Sequence, residues 1–531
     1  MSTVRGNSRC GGALTHLFDF LRSRYMMRSM ERNLVSGFIS IISAKVGLLF
    51  TNLIFTAVLV RLLGSTRYGE YALVLSILNV SMILINAGVN DGVRKFVAEE
   101  RSVSTWADDV LGFYIRFGGV LAAGGALAFV GSNLLGVTAT LIGPGYEPYF
   151  YLTALVVVGR QFFSIVRSSL MGQGLESVSE PLLVFKRVVL GVVGLSLVYV
   201  GYGVSGVLAG EIVGTVLVTG VGFYFVSKQY DVRAVARLSS NLPRKELVSF
   251  NSHSVVLILL TMSLLHVDII LLQQFEGNSA TGYYKAALII AELVWFVPVA
   301  LQTVLLHSMS ELWSRRDQSS VTELAARVTR YTLLLTLVMV MGIAALADPF
   351  IPLYYGAEFV PAVTPLLLLL PGTLGFAVAR PISAIGQGKG ELTPLIIATG
   401  TAALLNLVLN LVLIPRFGMA GAAVATSVGY GSMLAFHGLA AFSIGFNPFA
   451  DLRAVRILST AIAAAPVIFG VTWLLDFHLV SLVVVPPLGF VVYSLVALRT
   501  RAVAPEEVVP LLRRTPPPFA GWSVRLVRRL G

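Results

Sequence analysis

Cysteine is almost missing from this 531-residue chain, with Cys10 the only one. A single thiol excludes an intrachain disulfide framework and any thiolate metal cluster. Histidine is sparse as well, six in all, with no HxxxH or HExxH pair, so neither a metal site nor any other cofactor is expected. Charge is the third shortage. Only 12% of residues are Asp, Glu, Lys or Arg, against about 25% in a soluble domain, too few to cover a globule of this length. A secretory leader is also lacking. The apolar stretch 13–21 is interrupted by Thr15, His16 and Asp19, and no small-residue cleavage site follows, so residues 1–33 read as a basic arm.

What the chain has instead is apolar length. Hydrophobic residues make up 56% and the mean hydropathy is +0.82. Stretches long enough for a hydrocarbon layer of about 30 Å recur from Val35 to Leu498. Hydropathy predicts an all-α polytopic membrane protein with fourteen spans, at 34–60, 71–93, 109–132, 149–171, 181–200, 204–227, 248–273, 283–307, 326–347, 362–385, 393–414, 419–444, 453–475 and 479–498. The net charge of +12 would suit a nucleic-acid binder, but its placement argues for topology. Most of the Lys and Arg fall on one side of this stack: the arm, Arg94/Lys95/Arg101, the stretch from Lys228 to Lys245, Arg315/Arg316, Arg453/Arg456 and the tail. Arg61, Arg67, Lys285 and Arg416 fall on the other. The positive-inside rule then predicts a plasma-membrane protein with both termini cytoplasmic, and no nucleic-acid partner.

The chain also repeats itself at an offset of 213–215 residues. Gly64-Ser65-Thr66-Arg67-Tyr68-Gly69 corresponds to Gly277-Asn278-Ser279-Ala280-Thr281-Gly282. Gly172-Gln173-Gly174 corresponds to Gly386-Gln387-Gly388, and Gly203-Val204-Ser205-Gly206 to Gly418-Met419-Ala420-Gly421. Six helices return the chain to its starting side, so the repeats are parallel and suit a transporter whose two bundles rock around a central site. The expected organisation is an arm (1–33), an N-terminal lobe (34–227), a cytoplasmic linker (228–247), a C-terminal lobe (248–446), two added spans (447–498) and a basic tail (499–531).

The opening run Leu62-Leu63-Gly64-Ser65-Thr66-Arg67-Tyr68-Gly69-Glu70-Tyr71, with Asn86-Ala87-Gly88 and Arg94, resembles that of polysaccharide-export flippases. The stretch from Asn406 to Thr426, with Asn410, Pro415-Arg416-Phe417-Gly418 and Gly421, is similar to that family's C-terminal-lobe signature. The likeness covers roughly residues 30–500. It implies membership of the multidrug/oligosaccharidyl-lipid/polysaccharide exporter superfamily, with two six-helix lobes in a V. The implied substrate is a polyprenyl-(pyro)phosphate-linked oligosaccharide moved from the cytoplasmic to the outer leaflet. Glycan-assembly enzymes are the partners this implies.

Ionisable groups inside spans are costly and by default face a cavity or a partner. The first lobe holds Lys45, Arg116, Arg160, Lys186 and Arg187 against Asp91 and Glu211. A cationic interior suits an anionic ligand, so Lys45 and Arg160, assisted by Arg116, are expected to bind the lipid (pyro)phosphate. Lys186 and Arg187, about a turn inside a helix end, are expected to snorkel to headgroups. Asp268, Glu292 and Glu211 are candidates for coupling transport to H⁺ or Na⁺, with inter-helix pairing as the alternative. Asn406 and Asn410, one turn apart, are candidates for glycan contact or for helix–helix hydrogen bonding. The tail, with Pro516-Pro517-Pro518, Trp522 and Arg525/Arg528/Arg529, is expected to touch anionic lipid headgroups.

Two rival classes share parts of this description. A drug/cation antiporter on the same fold would place carboxylates in the first lobe, whereas span 1 carries Lys45 and no acid. A lipid II-type flippase is closer, because its cargo is also a glycosylated polyprenyl pyrophosphate. A glycan polymerase or ligase would need a large outer loop or an acidic motif. The outer loops are short, the longest about 133–148, and no catalytic constellation is visible. The chain is expected not to be an enzyme.

Overall fold

A computed structural model describes residues 10–512 except 100, 102–104, 238–241, 251, 315–316 and 476–477, together with Val527; of these, side chains are described from Gly47 onward except at 232, 236, 307, 308, 311, 478, 510 and 511. Among the described residues all regular structure is helical. Ten helical stretches are long and apolar enough to cross a membrane. The main helices are α1 (Cys10–Asn86), α2 (Trp106–Leu134), α3 (Glu147–Gly172), α4 (Glu176–Val226), α5 (Ser252–Glu292), α6 (Phe296–Ser314), α7 (Gln318–Tyr355), α8 (Val363–Gly388), α9 (Thr393–Ile444), α10 (Ala454–Leu474) and α11 (His478–Arg499), followed by the short α12 (Pro505–Leu512).

Four of these helices are hairpins closed by glycine. In α5, Tyr284 Oη lies 2.5 Å from Asp268 Oδ2, although sixteen residues of straight helix would hold them about 24 Å apart. The chain reverses at Gly277, whose φ/ψ of 79°/−171° is a region that only glycine occupies readily. α1 reverses the same way at Gly64 (69°/177°). Its two arms bring Phe55 and Leu75 to one cavity. In α9, Asn406 and Thr426 hydrogen-bond across a reversal at Gly418 (54°/−132°). In α4, Gly194 touches Gly210 across Gly201 and Gly203, the latter at 52°/−134°. Gly64 matches Gly277 and Gly203 matches Gly418 in backbone angles as well as in sequence register. The sequence repeat is therefore a repeat of hairpin geometry.

Helices α1–α4 pack on one another, as do α5–α9, and the halves meet chiefly where α1 lies on α5. At the glycine end of that contact the register is self-complementary. Thr66 Oγ1 and Ser279 Oγ are 2.8 Å apart and 213 residues apart in sequence, the repeat offset itself. A Cβ on Gly69 would come 1.8 Å from the carbonyl oxygen of Asn278, and one on Gly282 would come 2.1 Å from that of Ser65. Because Gly69 and Gly282, like Ser65 and Asn278, are repeat equivalents, each half presents the same glycine to the same backbone of the other. Tyr146 Oη donates to Asn278 Oδ1 at 2.7 Å, and the Ser65 amide to Glu358 Oε1 at 2.8 Å, closing the seam laterally.

The added helices α10 and α11 pack on each other and on α7. An ionic lock ties them down. The Arg330 side chain is fully buried and pairs with Asp451 and, at 2.6 Å, with Glu507 of α12. Arg453 pairs with the same two acids at 2.9 and 3.1 Å. Burial alone would raise the Glu507 carboxyl, but the Ala504 amide and the Arg330 guanidinium outweigh it and hold its pKa below the usual range. A depressed carboxyl contributes stability above its unfolded value of about 4.3, and that contribution is lost as pH falls toward the folded value. The melting temperature should therefore drop from about pH 5 downward, through the unfolded value of about 4.3, more steeply in the wild type than in Glu507→Gln. The double variant Asp451→Asn/Glu507→Gln should lose more stability than Arg330→Met, because it strands a buried guanidinium without a counter-ion. Equal losses would contradict this account of the lock.

Candidate functional site

The intramembrane charges of the first half converge on one carboxylate. Glu211, on the second arm of α4, accepts from Arg160 Nε of α3 at 2.9 Å and from Lys186 Nζ of the first arm at 2.8 Å. Arg160 Nη1 also donates to Asn79 Oδ1 of α1 at 3.0 Å. Small residues let these helices close up: Gly210 approaches the backbone of Gly194, and Gly214 the carbonyl of Lys186. Arg187 lies over the Phe55 ring at 4.0 Å, and its Nε is buried without a partner. A cavity of about 250 Å³ opens on this cluster, lined by Asn79, Arg160, Arg187 and Glu211, with Tyr68 and Tyr71 beside them. Lys285, from the second arm of α5, completes its wall. Among the described residues neither Arg187 nor Lys285 has a carboxylate within ion-pair distance. Glu211 thus faces three cations of its own half, and Lys285 of the other half, which interacts through space with Glu292, adds a fourth, an excess of positive charge that suits an anion.

Arg160 and Glu211 come together as an ion pair in one cluster. Lys45 lies among the residues whose side chains are not described, as does the Arg-rich end of the tail. Arg116 does not line the cavity; its Nη1 donates to the Val235 carbonyl at 3.0 Å, fastening α2 to the linker. Sequence reasoning set Lys186 and Arg187 aside as headgroup contacts, yet both turn inward. It put Lys285 at the outer face, yet Lys285 lines the cavity. The signal that could have found Lys186 and Arg187 is Glu211, an acid inside the following span that needs a cationic partner; no local signal marks Lys285.

A second polar cluster lies inside the second half. Asp268 is fully buried and accepts from Tyr284 Oη at 2.5 Å, Thr426 Oγ1 at 3.0 Å and the Ile269 amide at 2.8 Å. Asn406 Nδ2 reaches Thr426 Oγ1 at 3.4 Å, and Asn410 Nδ2 the Asn406 carbonyl at 2.9 Å. The side-chain oxygens of Asn406 and Asn410 are buried without partners. Asn406 thus reaches Asp268 only through Thr426, and Asn410 bonds the backbone of Asn406. The donors are all oxygen with a single carboxylate, which suits a monovalent cation or a proton. Among the described residues no group of three His, Cys, Asp or Glu is placed to hold a metal ion. Glu292 lies between the clusters, at the junction where α5 passes through a single 3₁₀ turn (Leu293–Trp295) into α6, close enough to Lys285, Asp268 and Arg380 to interact with them electrostatically.

An apolar cavity of about 450 Å³ lies on the other side of the second arm of α5. Ile290 contributes from that arm, Leu293 from the 3₁₀ turn after it, Met339 and Phe350 from α7, Ile468 from α10 and Phe490 from α11. Ile289 lines the charged cavity and Ile290 the apolar one. The two sites are back to back on one helix, the arrangement an amphiphile with an anionic junction needs.

A family model described as polysaccharide biosynthesis protein matches residues 58–364, more than half the chain. A Haloferax volcanii protein described as a probable low-salt glycan biosynthesis flippase, Agl15, is 22% identical over 485 residues, spanning 88% of this chain and 96% of the relative. The lipid II flippase MurJ in an inward closed conformation superposes with a TM-score of 0.71 at 16% identity, covering 87% of this chain and 98% of that structure. An inward-facing multidrug resistance transporter of the MATE family gives 0.61 at 15% identity, over 79% and 98%. The fold is that of these multi-pass transporters.

Proposed function

The chain belongs to the polysaccharide biosynthesis protein family, and from that premise we propose that it is a flippase for polyprenyl-(pyro)phosphate-linked oligosaccharide. The observation that carries this reading is the back-to-back pair of cavities on α5. A phosphate held among Arg160, Arg187 and Lys285 would leave its polyprenyl tail next to the apolar cavity walled by α10 and α11. Lys45 remains a proposed fourth contact. Counting each hairpin arm as one pass, with α6 continuing the second arm of α5, gives fourteen, with both termini cytoplasmic and transport running from the cytoplasmic to the outer leaflet.

The mechanism follows from how the charges are shared. Without ligand, Glu211 occupies Arg160 and Lys186, which limits the cost of several buried cations. A phosphate entering the cavity competes with Glu211 for them and meets Arg187 and Lys285, which have no carboxylate of their own. Because Lys285 belongs to the other half, the ligand bridges the halves and favours the arrangement in which they close on it. The Gly69–Gly282 seam, on the expected outer side, must then part to release the cargo. A drug/cation antiporter is disfavoured because the cavity carries cations in excess.

Asp268 is proposed as the coupling residue, with Asn406, Asn410 and Thr426 as its oxygen partners in place of the glycan contact expected for the asparagines. Asp268→Asn should abolish the response of glycolipid transfer to an imposed Na⁺ or H⁺ gradient while leaving glycolipid binding within about twofold of wild type. A variant that still responds to both gradients would remove Asp268 from coupling. The flippase reading itself is tested by transfer of a fluorescent polyprenyl-pyrophosphate oligosaccharide across proteoliposomes, which should require the protein.

A further inference from the structure

The second half contains another buried cation that the proposed transport site does not use. Arg380 of α8 lies near the end of the membrane-spanning region, eight residues before Gly388. Among the described residues it has no carboxylate within ion-pair distance. One of its five N–H donors goes to Gln302 Oε1 of α6 at 3.3 Å. Its Nε is buried without a partner. The guanidinium lies over the Phe376 ring at 4.4 Å, with Trp295 at 5.8 Å.

Beside it is a cavity of about 200 Å³ whose polar lining includes Arg380, Gln302, Ser383, Gln387, Thr261 and His437. The volume equals that of about six or seven waters, enough for a single sugar ring. His437 is held in place through its Nδ1, 3.1 Å from the Met433 carbonyl. Amides, hydroxyls and an imidazole around a planar cation form a surface with several directional hydrogen-bonding groups and one charge to match. An intramembrane arginine costs several kcal/mol unless it gains a partner. A neutral hydroxylated guest would leave that charge with only the more distant Glu292 to balance it, whereas a carboxylate oxygen pair fits the guanidinium fork.

We propose that this cavity is a subsite for an acidic sugar residue of the glycan, with Arg380 receiving the carboxylate and Gln302 and Gln387 the ring hydroxyls. The substrate assignment rests on the flippase reading above. Position supports it. The cavity is bounded by α5, the helix that also carries Lys285, and lies toward the Ser252 end of that helix, whereas Lys285 lies past the Gly277 reversal. A lipid whose phosphate sits among Arg160, Arg187 and Lys285 would direct its first sugars toward this end.

The test compares two labelled probes in nanodiscs: a polyprenyl-pyrophosphate disaccharide ending in glucuronate and the same lipid ending in glucose. The wild type should bind the glucuronate lipid about tenfold to a hundredfold more tightly, the ratio typical of a hydrogen bond to a charged group. Arg380→Gln should erase that preference and leave the affinity for the glucose lipid unchanged, which also shows that the variant folds. Arg380→Lys should keep part of it. Free glucuronate should compete at millimolar concentration in the wild type only. Equal affinities in the wild type, or a preference that survives Arg380→Gln, would overturn the subsite. Leaflet transfer of both lipids reports separately on the flippase reading. A preference in binding without any transfer would sink that reading and leave the subsite standing.

Discussion

Replacing Gly69 by leucine should reduce glycolipid transfer about tenfold to a hundredfold, with Gly282→Leu doing the same. The cause is steric and local. Even a methyl group on Gly69 would fall 1.8 Å from the Asn278 carbonyl oxygen, which is backbone and cannot rotate away. Overpacking of this kind costs about 1–3 kcal/mol or more. Spent on one of two states of an alternating transporter, it shifts their ratio by about the tenfold to hundredfold stated. The seam should stay parted, and the protein should accumulate in the state open at that end. Since Cys10 is the only native cysteine, a Cys10→Ser background makes this directly measurable. Ser65→Cys, at a seam position that is buried in the parent, should become accessible to a membrane-impermeant maleimide in Gly69→Leu and stay protected in the parent. The pair Thr66→Cys/Ser279→Cys, whose parent oxygens are 2.8 Å apart, should cross-link on mild oxidation, arrest transfer and recover on reduction. A cross-linked protein that transports at the uncrosslinked rate would show that the seam does not open during the cycle.

The second large effect is expected at the cations that lack a carboxylate. Arg187→Gln and Lys285→Gln should each weaken binding of a polyprenyl-pyrophosphate lipid about tenfold or more, and the double variant by the larger combined factor. Arg160→Gln should act differently, because Arg160 already shares Glu211 with Lys186. Its loss leaves Glu211 to Lys186 alone, so the ligand loses a contact that it had to win from Glu211, and the fall in affinity should be smaller than at Arg187 or Lys285. Glu211→Gln should tighten binding of the same lipid while slowing its release, since the competing carboxylate is gone. Binding of a fluorescent lipid with inorganic pyrophosphate as competitor separates these cases. If Arg187→Gln and Lys285→Gln bind the lipid as the wild type does, the cavity is not the phosphate site.

How much of this could be read in advance depends on the type of signal. The apolar runs and the repeat were legible because a membrane span leaves no choice about backbone hydrogen bonding, and because a reversal in one residue demands glycine. Gly64, Gly203, Gly277 and Gly418 were visible as repeat markers, and the positive φ at each explains why the register is held. The direction in which a charge points was not legible. Hydropathy places Lys285 about 12 Å along the helix from Gly277 but does not say whether it faces lipid headgroups or the other half. The same ambiguity put Lys186 and Arg187 with the headgroups, whereas one is held by a carboxylate and the other by a ring inside the bundle. Asn406 and Asn410 share a face, as their spacing requires, but only the reversal at Gly418 and the neighbouring α5 bring that face to Asp268 and Thr426. Contacts between arms of different hairpins are set by tertiary packing, which no local window contains.

The central claim is that the cationic cavity carries the phosphate of a glycolipid from one leaflet to the other. The most direct measurement is leaflet transfer in proteoliposomes of a fluorescent polyprenyl-pyrophosphate oligosaccharide, run beside efflux of a cationic dye. The account predicts transfer of the glycolipid by the wild type, loss of it in Arg187→Gln/Lys285→Gln, and no dye efflux in either. A wild-type protein that extrudes the dye and leaves the glycolipid in its original leaflet would contradict it.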